Sequence, residues 1–416
     1  MTSAPTPRTD TPDPAPGGLT VNYAAILALT VLVLFYAYLV FGMVLLLPDV
    51  GSGGILVDFD AFMISGGLFN AGDIMTPYDN DMMRQIQTEI MGAERGFMPW
   101  TYPPQFDLIA MVLATMPRWL AYSLFTATTL IAYLAVLWAL AGWRMVAILI
   151  ALLPAFFISL SIGQNSLLTG ALAGLFCLLT LRRSKNSGWP LGLMVIKPHL
   201  ALGLGIHAMA SRDLRAMVIA AVVVIGSSLL ATAVLGVGIW DAFLQGVQQA
   251  SAALANDFYP QFRMMSVYVA LETVGVPASI ALGAQSVVAI AACVTIASTV
   301  LRGLPLHHTL AIACFASPLF SPYVYDYDMI IVGIGLALVS GDLLARARWL
   351  ELAILFVLFW VTGLYGYISG ISLAELTGDA RIDAMAEKVA YGGWGYLATA
   401  VTIWAILRRP EPAAGG

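Results

Sequence analysis

Long apolar runs separated by short polar or basic turns make up most of this chain. A bilayer core of about 30 Å needs roughly 20 helical residues to cross it. Runs of about that length lie at 22–47, 119–141, 145–162, 165–182, 216–236, 278–300, 306–322, 328–344, 349–368 and 392–407. The run 22–47 is too long for a signal-peptide core and no small-x-small cleavage site follows it, so it reads as a retained anchor. Two apolar stretches do not fit a simple crossing. The stretch 106–116 is too short to span and is expected to be interfacial or partly inserted. The stretch 189–210 lies between two basic clusters that both belong on one side, so it must enter and return. Pro198 stops a helix at Lys197-Pro198-His199, which predicts a broken hairpin. Irregular backbone at membrane depth is tolerated only where it is buried in protein or lines a wet cavity.

Composition agrees with an all-α polytopic membrane protein of about 10–12 membrane helices. Of 416 residues, 60% are hydrophobic and 10% charged, and the mean hydropathy is +0.86. The net charge of −5 says less than its distribution. Basic residues gather at Arg144, Arg182-Arg183-Ser184-Lys185, Arg212 and Arg215, Arg302, Arg346 and Arg348, and Arg408-Arg409. Placing all of them in the cytoplasm gives alternating spans with both termini inside. The expected organisation is a disordered tail at 1–20, one transmembrane domain at 21–410 and a short tail at 411–416, with outer loops at 48–105 and 237–277. No internal repeat is clear, which disfavours inverted-repeat transporters. Cys177, Cys293 and Cys314 lie inside apolar segments and read as small core residues. No cofactor or metal is expected, and His307-His308 read as surface residues with no carboxylate nearby. Membrane lipids are expected partners and nucleic acid is not.

On this topology the polar chemistry gathers outside. Asp58 and Asp60 follow the first span, in a loop that also carries Asp73, Asp79, Asp81, Arg84, Glu89, Glu94 and Arg95. Further along come Trp100-Thr101-Tyr102-Pro103-Pro104, Gly163-Gln164-Asn165, Asn256-Asp257-Phe258-Tyr259 with Arg263, and Ser321-Pro322-Tyr323-Val324-Tyr325-Asp326-Tyr327-Asp328. Lys197 joins them from the hairpin. Direct displacement at an anomeric carbon needs a base, donors or cations for a leaving phosphate, and a held sugar. One carboxylate suffices for such a step, unlike a retaining glycosidase, which uses two. Lys197, His199 and Arg263 are the available cations. Tyr102 and Trp100 offer sugar-stacking faces, and Gln164 and Asn165 offer hydrogen bonds. Plainer readings stand beside these. Asp58 also suits the cap of a helix starting near Phe59, and Arg263 suits a surface pair with Asp257. His199 suits an interior histidine, and Trp100 and Tyr102 suit an interfacial belt.

The order Asp-Phe in the first outer loop, Tyr-Pro-Pro, Gly-Gln-Asn, Gly-x-x-x-x-Lys-Pro and a late Ser-Pro-Tyr…Tyr-Asp turn resembles glycosyltransferase family 87. The resemblance runs from about residue 20 to residue 345. It implies a GT-C-type fold and inverting transfer of a hexose, mannose first among candidates, from a polyprenyl-phosphate donor. The implied acceptor is a glycolipid or polysaccharide on the outer face. Asp58 matches the family's Asp-Phe motif and is the implied base, with Asp60 its rival. Tyr102, Gln164, Asn165 and Lys197 match the other motifs, and Asp326 and Asp328 match the late turn more loosely. A flippase for lipid-linked sugar and an envelope-assembly scaffold are the alternatives. The first would need a polar path reaching the inner face, and few inner residues supply one.

Overall fold

A computed structural model describes residues 23–46, 48–52, 56–92, 97–254, 259–373 and 376–410. The expected tails at 1–20 and 411–416, together with Glu94, Arg95 and the Asp257 partner considered for Arg263, lie outside the described residues. The described chain is helical, with no strand and a single isolated bridge, Met264 to Tyr325. In chain order the α-helices are α1 (Tyr23–Leu45), α2 (Asp58–Asn70), α3 (Asn80–Met91), α4 (Pro104–Leu113), α5 (Arg118–Ala141), α6 (Met145–Ala151) and α7 (Leu153–Ile162). There follow α8 (Ser166–Leu181), α9 (Gly188–Leu193), α10 (Pro198–Ala210), α11 (Leu214–Leu235), α12 (Ile239–Leu254), α13 (Val267–Glu272) and α14 (Ala278–Leu301). The last are α15 (Leu306–Ala316), α16 (Ile330–Arg346), α17 (Trp349–Ile371), α18 (Gly378–Ala386) and α19 (Gly392–Leu407).

Among the described residues five helical stretches are long and apolar enough to cross a membrane: Arg118–Ala151, Leu214–Leu235, Ala278–Leu301, Asp326–Arg346 and Trp349–Ile371. Six shorter apolar helices accompany them. The stretch Asp326–Arg346 has 78% of its apolar window buried in protein, against 11% for Leu214–Leu235. The first is therefore the axis of the bundle, and the second turns most of its side chains outward, as a helix facing lipid would. Ile330 and Ile334 on that axis join Leu167, Ala173 and Leu310 in the main core.

Two runs expected to be unbroken are interrupted, each beside a proline. The run 145–162 divides into α6 and α7 at Leu152, with Pro154 in the first turn of α7. The run 306–322 leaves α-geometry at Ser317, ahead of Pro318. Proline lacks an N–H and its ring clashes with the preceding turn. The helix break falls where expected: α9 passes through a tight turn, Lys197 is non-helical (φ −139°, ψ 73°), and α10 starts at Pro198.

A second, aromatic core joins α2, α4 and α5 through Phe59, Phe62, Trp100, Phe106 and Tyr122. Gly163 sets how closely the turn before α8 approaches it. Its φ is +67°, and a Cβ there would lie 2.6 Å from the Phe59 Cβ. The left-handed conformation and the close approach both require glycine. Gly163→Ala should cost about 1–3 kcal/mol, read as a lower unfolding temperature in detergent. An unchanged midpoint would show that the close approach is not maintained.

The reading of His307 and His308 is corrected. Because α15 and α16 run antiparallel, the first turn of α15 meets the last turn of α16. The Nε2 atoms of His307 and His308 lie 3.2 and 2.8 Å from Asp342 Oδ2. The three donor atoms lie within 4.8 Å of one another, at the opposite end of α16 from Asp326.

Candidate active site

The two acids that open α2 have different surroundings. Asp60 is fully buried and holds Arg118, itself 4% exposed, through two hydrogen bonds: Arg118 Nε to Oδ1 at 2.5 Å and Nη2 to Oδ2 at 2.9 Å. Asp60 Oδ2 also accepts the Val57 N–H at 2.9 Å, so the acid that satisfies the helix start is Asp60. Asp58 has no capping role. It is half-buried at the wall of a cavity of about 510 Å³, and its Oδ2 accepts from Gln164 Nε2 at 2.7 Å. Among the described residues nothing donates to its Oδ1.

Gln164 is itself held. Its Oε1 accepts from the Tyr102 hydroxyl at 2.7 Å and from the Asn165 N–H at 2.9 Å. With the oxygen taken twice, the NH₂ must face Asp58. The Gly-Gln-Asn turn thus aims an amide at the carboxylate, and Tyr102 fixes which way the amide points. Burial pushes the Asp58 carboxyl above the ordinary carboxylate range, opposed by the Arg263 charge, the Gln164 hydrogen bond and Lys197.

The late turn supplies a second layer. Arg263 grips Asp326 with two parallel bonds, Nε to Oδ2 at 3.0 Å and Nη2 to Oδ1 at 2.8 Å. Lys197 reaches Asp328 Oδ1 at 2.8 Å across the break between α9 and α10. The Tyr327 ring lies between these pairs, 4.9 Å from Lys197 Nζ and 5.8 Å from the Arg263 guanidinium carbon. The loop carrying Arg263 is tied to the turn by the Met265 N–H, which donates to the Val324 carbonyl at 2.8 Å. A Cβ on Gly366 of α17 would lie 2.8 Å from Arg263 Cγ, so α17 backs the pair closely.

The sequence-derived residues therefore fall into two groups. Asp58, Tyr102, Gln164 and Arg263 line the cavity together with Tyr325 and Tyr327. Lys197, Asp326 and Asp328 stand behind that wall as buried ion-pair partners, and Asn165 is a buried support for Gln164. His199 Nε2 is buried with no hydrogen-bond partner among the described residues. Asp60 does not line the cavity. Trp100 is not a belt residue: it is 1% exposed, and its indole N–H donates to Asp107 at 2.9 Å.

Sequence reading passed over Arg118, Asp107 and Arg381. Asp107 is fully buried in α4 and also accepts from the Tyr78 hydroxyl at 2.9 Å. A lone acid in an apolar stretch was the available signal for it. Arg118 carried none, since it stands at the edge of a span like any flanking basic residue. Arg381 lines the cavity from α18, a helix with no long apolar run to announce it.

The family model described as glycosyltransferase family 87 matches residues 100–322, more than half of the chain. The matched interval contains Tyr102, Gln164, Asn165, Lys197, His199 and Arg263, and leaves Asp58, Asp326 and Asp328 outside. No curated protein and no solved structure matches the chain.

Proposed function

The chain belongs to glycosyltransferase family 87, and from that premise we propose an inverting transferase that moves a hexose from a polyprenyl-phosphate carrier to a hydroxyl acceptor, with Asp58 as base. The proposed sugar is mannose, and the proposed acceptor is a glycolipid or polysaccharide at the outer face of a bacterial inner membrane. The observation that carries this reading is Asp58 itself, at the cavity wall: one oxygen is held by Gln164, and the other has no donor among the described residues.

The step is a single displacement. The acceptor oxygen attacks the anomeric carbon as the carbon–oxygen bond to phosphate breaks, and that electron pair leaves on the phosphate. The acceptor proton passes to Asp58, whose raised affinity for it suits a base acting as the hydroxyl acidifies. Tyr102, Tyr325 and Tyr327 offer ring faces and hydroxyls to the sugar. Arg263 sits beside Asp58 but is neutralised by Asp326, so its contribution is orientation more than net charge.

The test is transfer by the purified, reconstituted protein, supplied in turn with polyprenyl-phosphate mannose, other polyprenyl-phosphate hexoses and nucleotide sugars. A new glycosidic bond, detected by mass spectrometry of the lipid fraction, is expected with a polyprenyl donor alone. Transfer from a nucleotide sugar would overturn the donor assignment. Movement of labelled carrier across liposomes with no bond formed would identify a flippase instead.

A further inference from the structure

Among the described residues the cavity presents two cationic side chains, Arg263 and Arg381. Arg263 is bound to Asp326, and Lys197 behind it is bound to Asp328. Each pair is neutral as a unit, so together with Asp58 they leave this wall with one net negative charge. Such a wall repels a phosphodiester, and repels it more as charge grows on the departing oxygen. Among the described residues Arg381 is the remaining cation of the cavity. It projects from α18 into the cavity, and its Nη1 donates to the Leu373 carbonyl. Its Nε is buried without a hydrogen-bond partner, and no carboxylate pairs with it among the described residues.

We propose that Arg381 binds the phosphate of the lipid-phosphate donor and holds it through departure. This deepens the reading of the cavity as a transferase site and rests on it. A planar guanidinium with spare N–H donors matches phosphate oxygens in a fork and cannot lose its proton in compensation. The fixed charge also strengthens its hold as the phosphodiester becomes a monoester, because a second negative charge develops on the phosphate. Leu56, Phe97, Phe262 and Met385 supply the apolar part of the same cavity, which suits a donor whose phosphate is joined to a hydrocarbon chain. The position lies beyond the interval matched by the family model.

The experiment measures binding of polyprenyl monophosphate, the spent carrier, to the full-length protein in nanodiscs, so that no turnover is involved. Polyprenol and inorganic phosphate serve as separate probes. Arg381→Gln removes a charge-assisted hydrogen bond to phosphate and should weaken binding on the order of 10- to 100-fold. Arg381→Lys should recover part of that affinity, and polyprenol binding should not change. The donor KM in Arg381→Gln should rise with the Kd. Equal binding of polyprenyl monophosphate by wild type and folded Arg381→Gln overturns the proposal. So does a site that inorganic phosphate fills as tightly as the lipid phosphate. The transfer assay separates the two readings. Arg381-dependent lipid-phosphate binding without any transfer would sink the enzymatic reading alone, and transfer with Arg381-independent binding would sink this one alone.

Discussion

Asp58→Asn should reduce sugar transfer by about 10²- to 10⁴-fold, the usual contribution of a positioned general base, while leaving the fold intact. Asparagine keeps the shape and can still take the hydrogen bond from Gln164 Nε2 through its oxygen. The stability side has a definite sign. Burial raises the Asp58 pKa in the folded protein, so the folded state binds this proton more tightly than the unfolded chain does. Its contribution to stability is fully present below the unfolded carboxylate value of about 3.9 and is lost as pH rises through the folded value. At neutral pH the ionised aspartate is therefore a cost that asparagine does not carry. The variant should unfold at the same temperature as wild type or higher. For the wild type, the acid limb of kcat/KM should fall above the ordinary carboxylate range. Transfer within tenfold of wild type by folded Asp58→Asn would remove Asp58 as base.

Arg118→Met should be the more damaging change to the molecule and the less informative one about catalysis. Among the described residues it leaves Asp60 buried and charged with only the Val57 N–H for company. Removing one partner of a buried pair costs about 3–5 kcal/mol, far more than the intact pair contributes. Little folded protein is expected from it. The double variant Asp60→Leu/Arg118→Met replaces both charges by apolar groups and should regain much of the missing stability. Transfer should return in proportion to the folded fraction, because Asp60 does not face the cavity. Thermal unfolding of both variants, beside transfer per folded molecule, separates the two acids. A stable double variant without activity would move the base assignment toward Asp60.

The helical, apolar character of the chain was legible because each apolar run has to satisfy its own backbone. The turn at Lys197 was legible from Pro198, which starts a new helix there, and a buried charge needs a partner. Which partner was not. Asp328 lies 131 positions away, and no local pattern encodes that pairing. The same limit applied to Asp58 and Asp60. Both suit the start of α2, and only the arrival of Arg118, 58 positions later, shows which is neutralised. Arg263 was recognised as a cation of interest, but its partner is Asp326 on the late turn. The breaks at Pro154 and Pro318 could have been read from proline and were masked by the apolar character of the run around them. Arg381 was hidden most completely, since a short polar helix between the apolar α17 and α19 looks like an ordinary solvated loop.

The Gln164 amide oxygen already receives the Tyr102 hydroxyl and the Asn165 N–H. To turn over, the amide would have to give up both and aim its oxygen at a carboxylate. The edge that Asp58 offers to the cavity is thereby the same from one encounter to the next. With Asp58 as the proposed base, an incoming hydroxyl would meet a lone pair of fixed direction. The ease of its deprotonation would then depend on a tyrosine that touches neither the proton nor the carboxylate. A Tyr102→Phe protein would be expected to lose that constancy of approach before it lost the capacity to bind.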